Sequence, residues 1–524
     1  MRQLTALDQQ FLALEDSRHV GHVGALAVLD PSTAPGGTLT LEDLQLLIAE
    51  RLPLVPPFRW RLVTVPFDLD YAYWLDDADF DLDFHVRELA LPPGAADEKL
   101  AEQVARIFAR PLDRARPLWE LYLIHGLPEG RVAVMTKIHH AVIDGISGNE
   151  IMGVLLDLSP EGRELPDTFT DPPDLPPSDV EMLARGVLGV PRYPLRLLRS
   201  IPKALPNVAE VPQLANVPGV GLAGRVAAEV RRLVGRGRIV GRRDLVPPRT
   251  TFNGRISPHR RFAFGELSLE EVKAVKNAYG VTVNDVVVSI CAGAVRRWLL
   301  EHDELPEDPL VAQIPVSVRR EKEQGTFGNR ILLMTAPLFT DEPDPIRRLQ
   351  RTHEALVEMK ERHRALPAEL LQDANEFIPP ALFSRAARLT FGLASGPGRP
   401  AWNLVVSNVP GPQFPLYMAG AKLEANYPIS VITDGMGLNI TVMSYLGRLD
   451  FGIVADREQM PDLWSLIGWL GDALDEIKPV GKPSRQRSAN GKRAPSKRAA
   501  SPKRGNAERA GVKSKAQTGS RRGG

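Results

Sequence analysis

His139-His140-Ala141-Val142-Ile143-Asp144-Gly145 stands where one periodicity ends and another begins. Upstream, Val132, Val134, Thr136 and Ile138 alternate with Ala133, Met135, Lys137 and His139, the period-two pattern of a strand. Downstream, Ser147 and Glu150 have capping-box spacing, and Ile146, Met152, Leu155 and Leu156 supply the apolar positions of a helix. The stretch predicts a strand, a tight turn and a capped helix, a setting that holds a reactive side chain on rigid elements and leaves it exposed. If the extended backbone persists to its end, the two histidines point to opposite faces and cannot easily share one substrate or one metal ion. One histidine is expected to work and the other to be packed.

A neutral imidazole suits proton abstraction from an alcohol at neutral pH, provided that a partner fixes its tautomer. His140 is the candidate base; the competing reading is a satisfied core pair at a strand end. Asp144 either orients the histidine loop or serves as a turn residue paired with an arginine such as Arg319, the structural role being preferred. Gly145 supplies a backbone conformation or close approach that a side chain would forbid. Other chemistries fit less well. The single cysteine, Cys291, lies within the apolar run of residues 286–295, where a thiol is inert, and one cysteine allows neither an internal disulfide nor a thiolate zinc cluster. Adjacent histidines on a strand lack the i, i+4 spacing of a helical zinc site, so no metal is expected. His22 and His85 follow alternating apolar residues and read as core histidines. Neither a Gly-x-Ser-x-Gly elbow nor a Walker-type phosphate loop is present.

The stretch resembles the HHxxxDG motif of the coenzyme A-dependent acyltransferase superfamily. Further segments resemble one branch of it, the bacterial wax ester synthase/diacylglycerol acyltransferase family common in actinobacteria. They are the opening Leu4 to Phe11 with His22-Val23-Gly24, Phe80 to Val86, Pro117-Leu118-Trp119, Asn284-Asp285, Pro315 to Arg319, Gly328-Asn329 and Ser407 to Pro412. They occur in the family's order and cover about residues 1–475. The resemblance implies two mixed α/β sandwich lobes of the chloramphenicol acetyltransferase type, with a substrate tunnel between them and the histidines at its middle. It also implies transfer of a fatty acyl group from acyl-CoA, as co-substrate and without another cofactor, to diacylglycerol or a long-chain alcohol, with no covalent acyl-enzyme. His140 would be the general base and His139, Asp144 and Gly145 orienting or structural members of the motif. Asn284 is a candidate donor to the oxyanion, its other reading being a helix cap. Pro117-Leu118-Trp119 reads as packing, and residues 408–412 as a turn that helps the two halves meet.

Length and composition agree. A chain of 524 residues, 43% hydrophobic and 25% charged, can bury a large core and is long enough for more than one domain. Residues 1–160 alternate strand-like runs (22–29, 58–65) with helical ones (41–52, 98–109). Residues 251–480 repeat the mixture, with strands at 310–318, 331–339, 402–409, 438–446 and 451–456 and helices near 269–278, 285–300, 345–364 and 461–477. Between them, residues 161–250 are rich in proline and carry an arginine cluster from Arg225 to Arg243, suited either to an anionic bilayer or to an ordinary connection packed on the lobes. Residues 481–524 hold 14 Lys/Arg against the single Glu508 and no aromatic residue, a composition expected to be disordered. The chain's net charge of +1 thus conceals about −12 on the first 480 residues. The tail is expected to contact a membrane or another polyanion nonspecifically, or merely to aid solubility. With no apolar run of bilayer length and acidic residues near the N-terminus, the expected location is cytoplasmic, peripheral on a membrane or lipid droplet. A reading of another class is a weakly active lipid-binding or lipid-body scaffold, against which the intact motif argues.

Overall fold

Residues 1–143, 148–165, 177–189, 243–317, 331–364 and 399–479 are described by the structure, a computed structural model. Two six-stranded mixed sheets organise them. The first takes strands β2 (His22–Asp30), β5 (Val86–Ala90), β6 (Trp119–His125), β7 (Val132–His139), β12 (Tyr417–Met418) and β13 (Ala421–Ile429) in the order β12-β13-β2-β7-β6-β5. Only its β5–β6 pair is parallel. The second takes β8 (Arg260–Ser268), β9 (Leu310–Ser317), β10 (Ile331–Leu338), β11 (Leu404–Val409), β14 (Leu438–Tyr445) and β15 (Arg448–Asp456) in the order β10-β9-β11-β14-β15-β8. A small third sheet takes β1 (Arg2–Gln3), β3 (Trp60–Val63) and β4 (Tyr73–Asp76) in the strand order β1-β4-β3.

Strand β7 is apolar on both sides because both faces of its sheet are covered. On one face Val132, Val134 and Ile138 pack with Leu44, Leu47 and Ile48 of the helix Leu41–Arg51 and with Ile151 and Leu155 of the helix Gly148–Leu155. On the other, Ala133 and Met135 meet Leu100, Val104 and Phe108 of the helix Asp97–Phe108. That second core also contains Phe262 and Phe264 from β8 and Val454 from β15, so it joins the two sheets into one unit spanning Met1–Pro479. At about 1.5–3 kcal/mol for each fully buried Leu- or Phe-sized side chain, this shared core is a strong bond between the lobes. The remaining face of the second sheet lies under the helices Leu269–Tyr279, Val283–Glu301, Pro345–Arg364 and Ser465–Asp475.

The α/β class and most of the expected elements are observed, generally displaced by no more than a few residues at their ends. The periodicity does not announce β8 or β13, and β13 alters the partition of the chain. After β11 in the second sheet, the loop through Gly411 carries the chain across, and β12 and β13 pair into the first sheet beside β2. The 251–480 segment therefore builds parts of both sheets. Most of the 161–250 connection, including the arginine cluster as far as Arg242, and all of 481–524 lie outside the described residues.

Candidate active site

The strand stops at its first histidine. His139 donates its backbone N–H to the Leu118 carbonyl (2.9 Å), and a four-residue helix, His140–Ile143, begins at the next residue. His140 donates its backbone N–H to the carbonyl of Gly21 (2.8 Å), just before β2. The two rings consequently have different surroundings. The His139 ring is buried, its Nδ1 accepts the Ala141 N–H at 3.1 Å, and its Nε2 lies 3.2 Å from Oε1 of Glu15. Because Nδ1 accepts, the proton of the neutral ring sits on Nε2, facing the carboxylate.

The His140 ring is half-buried and stacks on Phe11, with centroids 4.0 Å apart and planes at 17°. Its Nδ1 is enclosed and makes no well-formed hydrogen bond to a described residue. Burial first, then the charge that His139 can carry, lowers its pKa to about 4, while its own backbone carbonyl works in the opposite direction. At neutral pH the ring is uncharged, the form that a general base requires.

Phe11 belongs to the helix Ala6–Leu14, which starts at a capping box between Thr5 and Asp8. Glu15 caps the other end of that helix. Its carboxylate also accepts the Gly21 N–H (2.7 Å) and bonds from Arg114 (Nη2 2.8 Å, Nε 3.3 Å). Burial pushes the Glu15 pKa up, but His139, Arg114 and the Gly21 N–H outweigh it and hold the carboxyl at about 2. The opening segment was legible as part of the family pattern, whereas the roles of Phe11 and Glu15 were not: their partners lie in another part of the chain. The i, i+4 spacing of the two on one helix is the only local signal.

Asn284 occupies the second position of the helix Val283–Glu301, and the cap is Thr282, which forms a capping box with Asp285. The capping role proposed for Asn284 thus belongs to its neighbour. Its Oδ1 instead accepts a bond from Nδ2 of Asn408 on β11, at 3.4 Å. Asp144, Gly145 and Arg319 lie outside the described residues. His22 and His85 are fully buried: His22 Nε2 lies beside the Phe108 carbonyl, and His85 Nδ1 is 2.7 Å from the Trp119 carbonyl while its ring stacks on Trp119. Burial lowers both pKa values. Trp119 is core, donating its indole N–H to the Phe58 carbonyl at 2.7 Å. Cys291 is buried and its thiol is pushed up to about 12. Among the described residues no group of three His, Cys, Asp or Glu side chains is placed to hold a metal ion.

With this geometry in view, the sequence profile of the wax ester synthase/diacylglycerol acyltransferase catalytic domain matches residues 4–287, and that of the WS/DGAT C-terminal domain matches residues 327–478. The chain belongs to this family. A Mycobacterium tuberculosis protein assigned as a diacylglycerol O-acyltransferase is 35% identical over 479 residues, which cover 91% of this chain and 90% of that one. The O-acyltransferase WSD of Acinetobacter baylyi is 32% identical over 92% of this chain and 98% of its own. Among solved structures, the wax ester synthase/diacylglycerol acyltransferase of Marinobacter aquaeolei VT8 superposes with a TM-score of 0.63 at 31% identity, covering 91% of this chain and 98% of that one. A trichothecene 15-O-acetyltransferase from Fusarium sporotrichioides, 15% identical with a TM-score of 0.55 over 91% of this chain and 95% of that one, shares the fold. This member of the wax ester synthase/diacylglycerol acyltransferase family is therefore an O-acyltransferase of the two-lobed α/β type.

Proposed function

We propose that this enzyme transfers a fatty acyl group from acyl-CoA to the free hydroxyl of diacylglycerol, making triacylglycerol, with His140 as the general base. The observation that carries the reading is the half-buried His140 ring, stacked on Phe11 just past the end of β7. His140 Nε2 takes the hydroxyl proton as the alcohol oxygen forms its bond to the thioester carbon. The tetrahedral oxyanion collapses, the C–S bond breaks, and the imidazolium returns the proton to the thiolate, releasing CoA and the ester. No covalent acyl-enzyme is formed. For the oxyanion we assign the Asn284 side chain, whose Oδ1 is engaged by Asn408 so that its amide nitrogen is the end offered as donor.

A long-chain alcohol is the alternative acceptor, favoured by the similarity to the Marinobacter wax ester synthase/diacylglycerol acyltransferase. Thiol release from palmitoyl-CoA with diacylglycerol, with hexadecanol or with neither separates the readings, with the acylated products identified by chromatography. Triacylglycerol that disappears in a folded His140→Ala variant is the expected result. Ester from hexadecanol alone would make it a wax ester synthase, and ester formation unchanged by the substitution would remove His140 as the base.

The acceptor is water-insoluble, and we place the enzyme peripherally on a cytoplasmic membrane or lipid-droplet surface. No single described helix is long and apolar enough to cross a bilayer. Support comes from the helix Asp179–Gly189, which turns Met182, Gly186 and Gly189 inward and leaves Val180, Leu183, Val187 and Leu188 exposed. For the basic tail we propose nonspecific contact with polyanions.

A further inference from the structure

We propose that Glu15 is a positioning residue that sets the orientation of both histidines at once. Its Oε1 faces Nε2 of His139 at 3.2 Å and accepts the Gly21 N–H at 2.7 Å. Gly21 in turn offers its carbonyl to the backbone N–H of His140 at 2.8 Å. One carboxylate oxygen therefore stands in ion-pair contact with the packed ring and, through a single peptide unit, fixes the backbone from which the catalytic ring projects. The other oxygen is clamped by Arg114, whose guanidinium also donates to the Leu12 carbonyl of the helix bearing Phe11. That helix supplies the aromatic face under His140. Base, stacking partner and packed histidine thus converge on a single, largely buried anion.

The space around this anion is filled. A Cβ added at Gly21 would stand 2.8 Å from His139 Nε2, closer than real Cβ atoms approach, and a tight 3.2 Å from Glu15 Oε1. A largely buried carboxylate is costly unless it is paired and hydrogen-bonded, and Glu15 accepts bonds from a guanidinium and a backbone N–H while the His139 imidazole stands within ion-pair distance. The turn between Glu15 and Gly21 is also tied to the second lobe. Arg18 reaches Oδ1 of Asp434 (3.4 Å), His19 Nε2 lies 3.3 Å from the same oxygen, and Arg260 donates to the Arg18 carbonyl. The carboxylate consequently stands where the histidine strand, the first helix and the opposite lobe are braced against one another.

The inference rests on His140 being the base, so the experiment carries His140→Ala as a separate arm. Steady-state kinetics of Glu15→Gln and Glu15→Ala are compared with the parent at matched melting temperature. The amide oxygen of glutamine can still accept from Gly21 or His139, so kcat is expected to fall in the order parent, Glu15→Gln, Glu15→Ala. The alanine variant should lose about 10- to 100-fold in kcat, as misplacement of a catalytic group does, with the KM for acyl-CoA within about twofold. Gly21→Ala, which forces a methyl group into the same gap with the carboxylate intact, should show the same split and provides the test if Glu15→Ala does not fold. Parent-like kcat in Glu15→Ala or in Gly21→Ala, or a raised KM at constant kcat, would overturn the positioning role. An active His140→Ala would overturn the base assignment instead.

Discussion

At the scale of single residues, burial decides what each histidine can do. His22, His85 and His140 all have pKa values lowered chiefly by loss of water, yet two of the rings are sealed in the core and only His140 keeps part of its surface open. As the proposed base, with its pKa lowered to about 4, His140 is already deprotonated at neutral pH. kcat/KM should therefore stay level on acidification from neutrality and fall only as pH approaches about 4; an acid limb at 6.5 or above in a pH–rate profile would contradict the assignment. The same shift links to stability. Below 6.5 the unfolded chain takes up protons that the folded one refuses, so this contribution is complete above 6.5 and is lost as pH falls toward about 4. The two histidines and Asn284 were legible as candidates because their residue types sit at marked points of the periodicity. Glu15 was not, since a glutamate at a helix end is unremarkable until the fold brings it to His139.

At the scale of elements, periodicity reports which faces are covered but not what covers them. The strand before the motif read clearly because alternation and continuous burial leave the same apolar trace at β7. β13 was hidden by Pro428 within it and by its distance in sequence from β2, its partner. The helix Asp179–Gly189 reverses the usual arrangement, seating its small residues inward against Val65, Leu69 and Asp70 and presenting aliphatic ones to solvent. Phe67, 81% exposed in a left-handed conformation (φ 60°), projects from the turn on which it rests. Changing Val180, Leu183, Val187 and Leu188 together to glutamine should weaken co-sedimentation with phosphatidylcholine vesicles containing diacylglycerol while sparing turnover of detergent-dispersed substrate. Undiminished vesicle binding would take this helix out of the lipid contact.

At the scale of the whole molecule, the two sheets meet so closely that backbone touches backbone. A Cβ at Gly452 on β15 would lie 1.7 Å from the carbonyl oxygen of Pro428 on β13. Gly452→Ala should cost at least the ~1–3 kcal/mol typical of overpacking, because neither strand can yield alone, and should lower the denaturation midpoint. A midpoint equal to the parent's would mean that the sheets separate easily there. Such a contact is invisible in a linear chain. The sequence by itself determined the α/β class, most of the elements and the histidine pair that the proposed chemistry uses, since local periodicity and short motifs are properties of neighbouring residues. Only the tertiary structure decided that a late strand returns to the first sheet, that Thr282 and not Asn284 caps its helix, and that Glu15 and Phe11 close around the histidine pair. These are relations between distant residues, and they exist only once folding has buried their partners together.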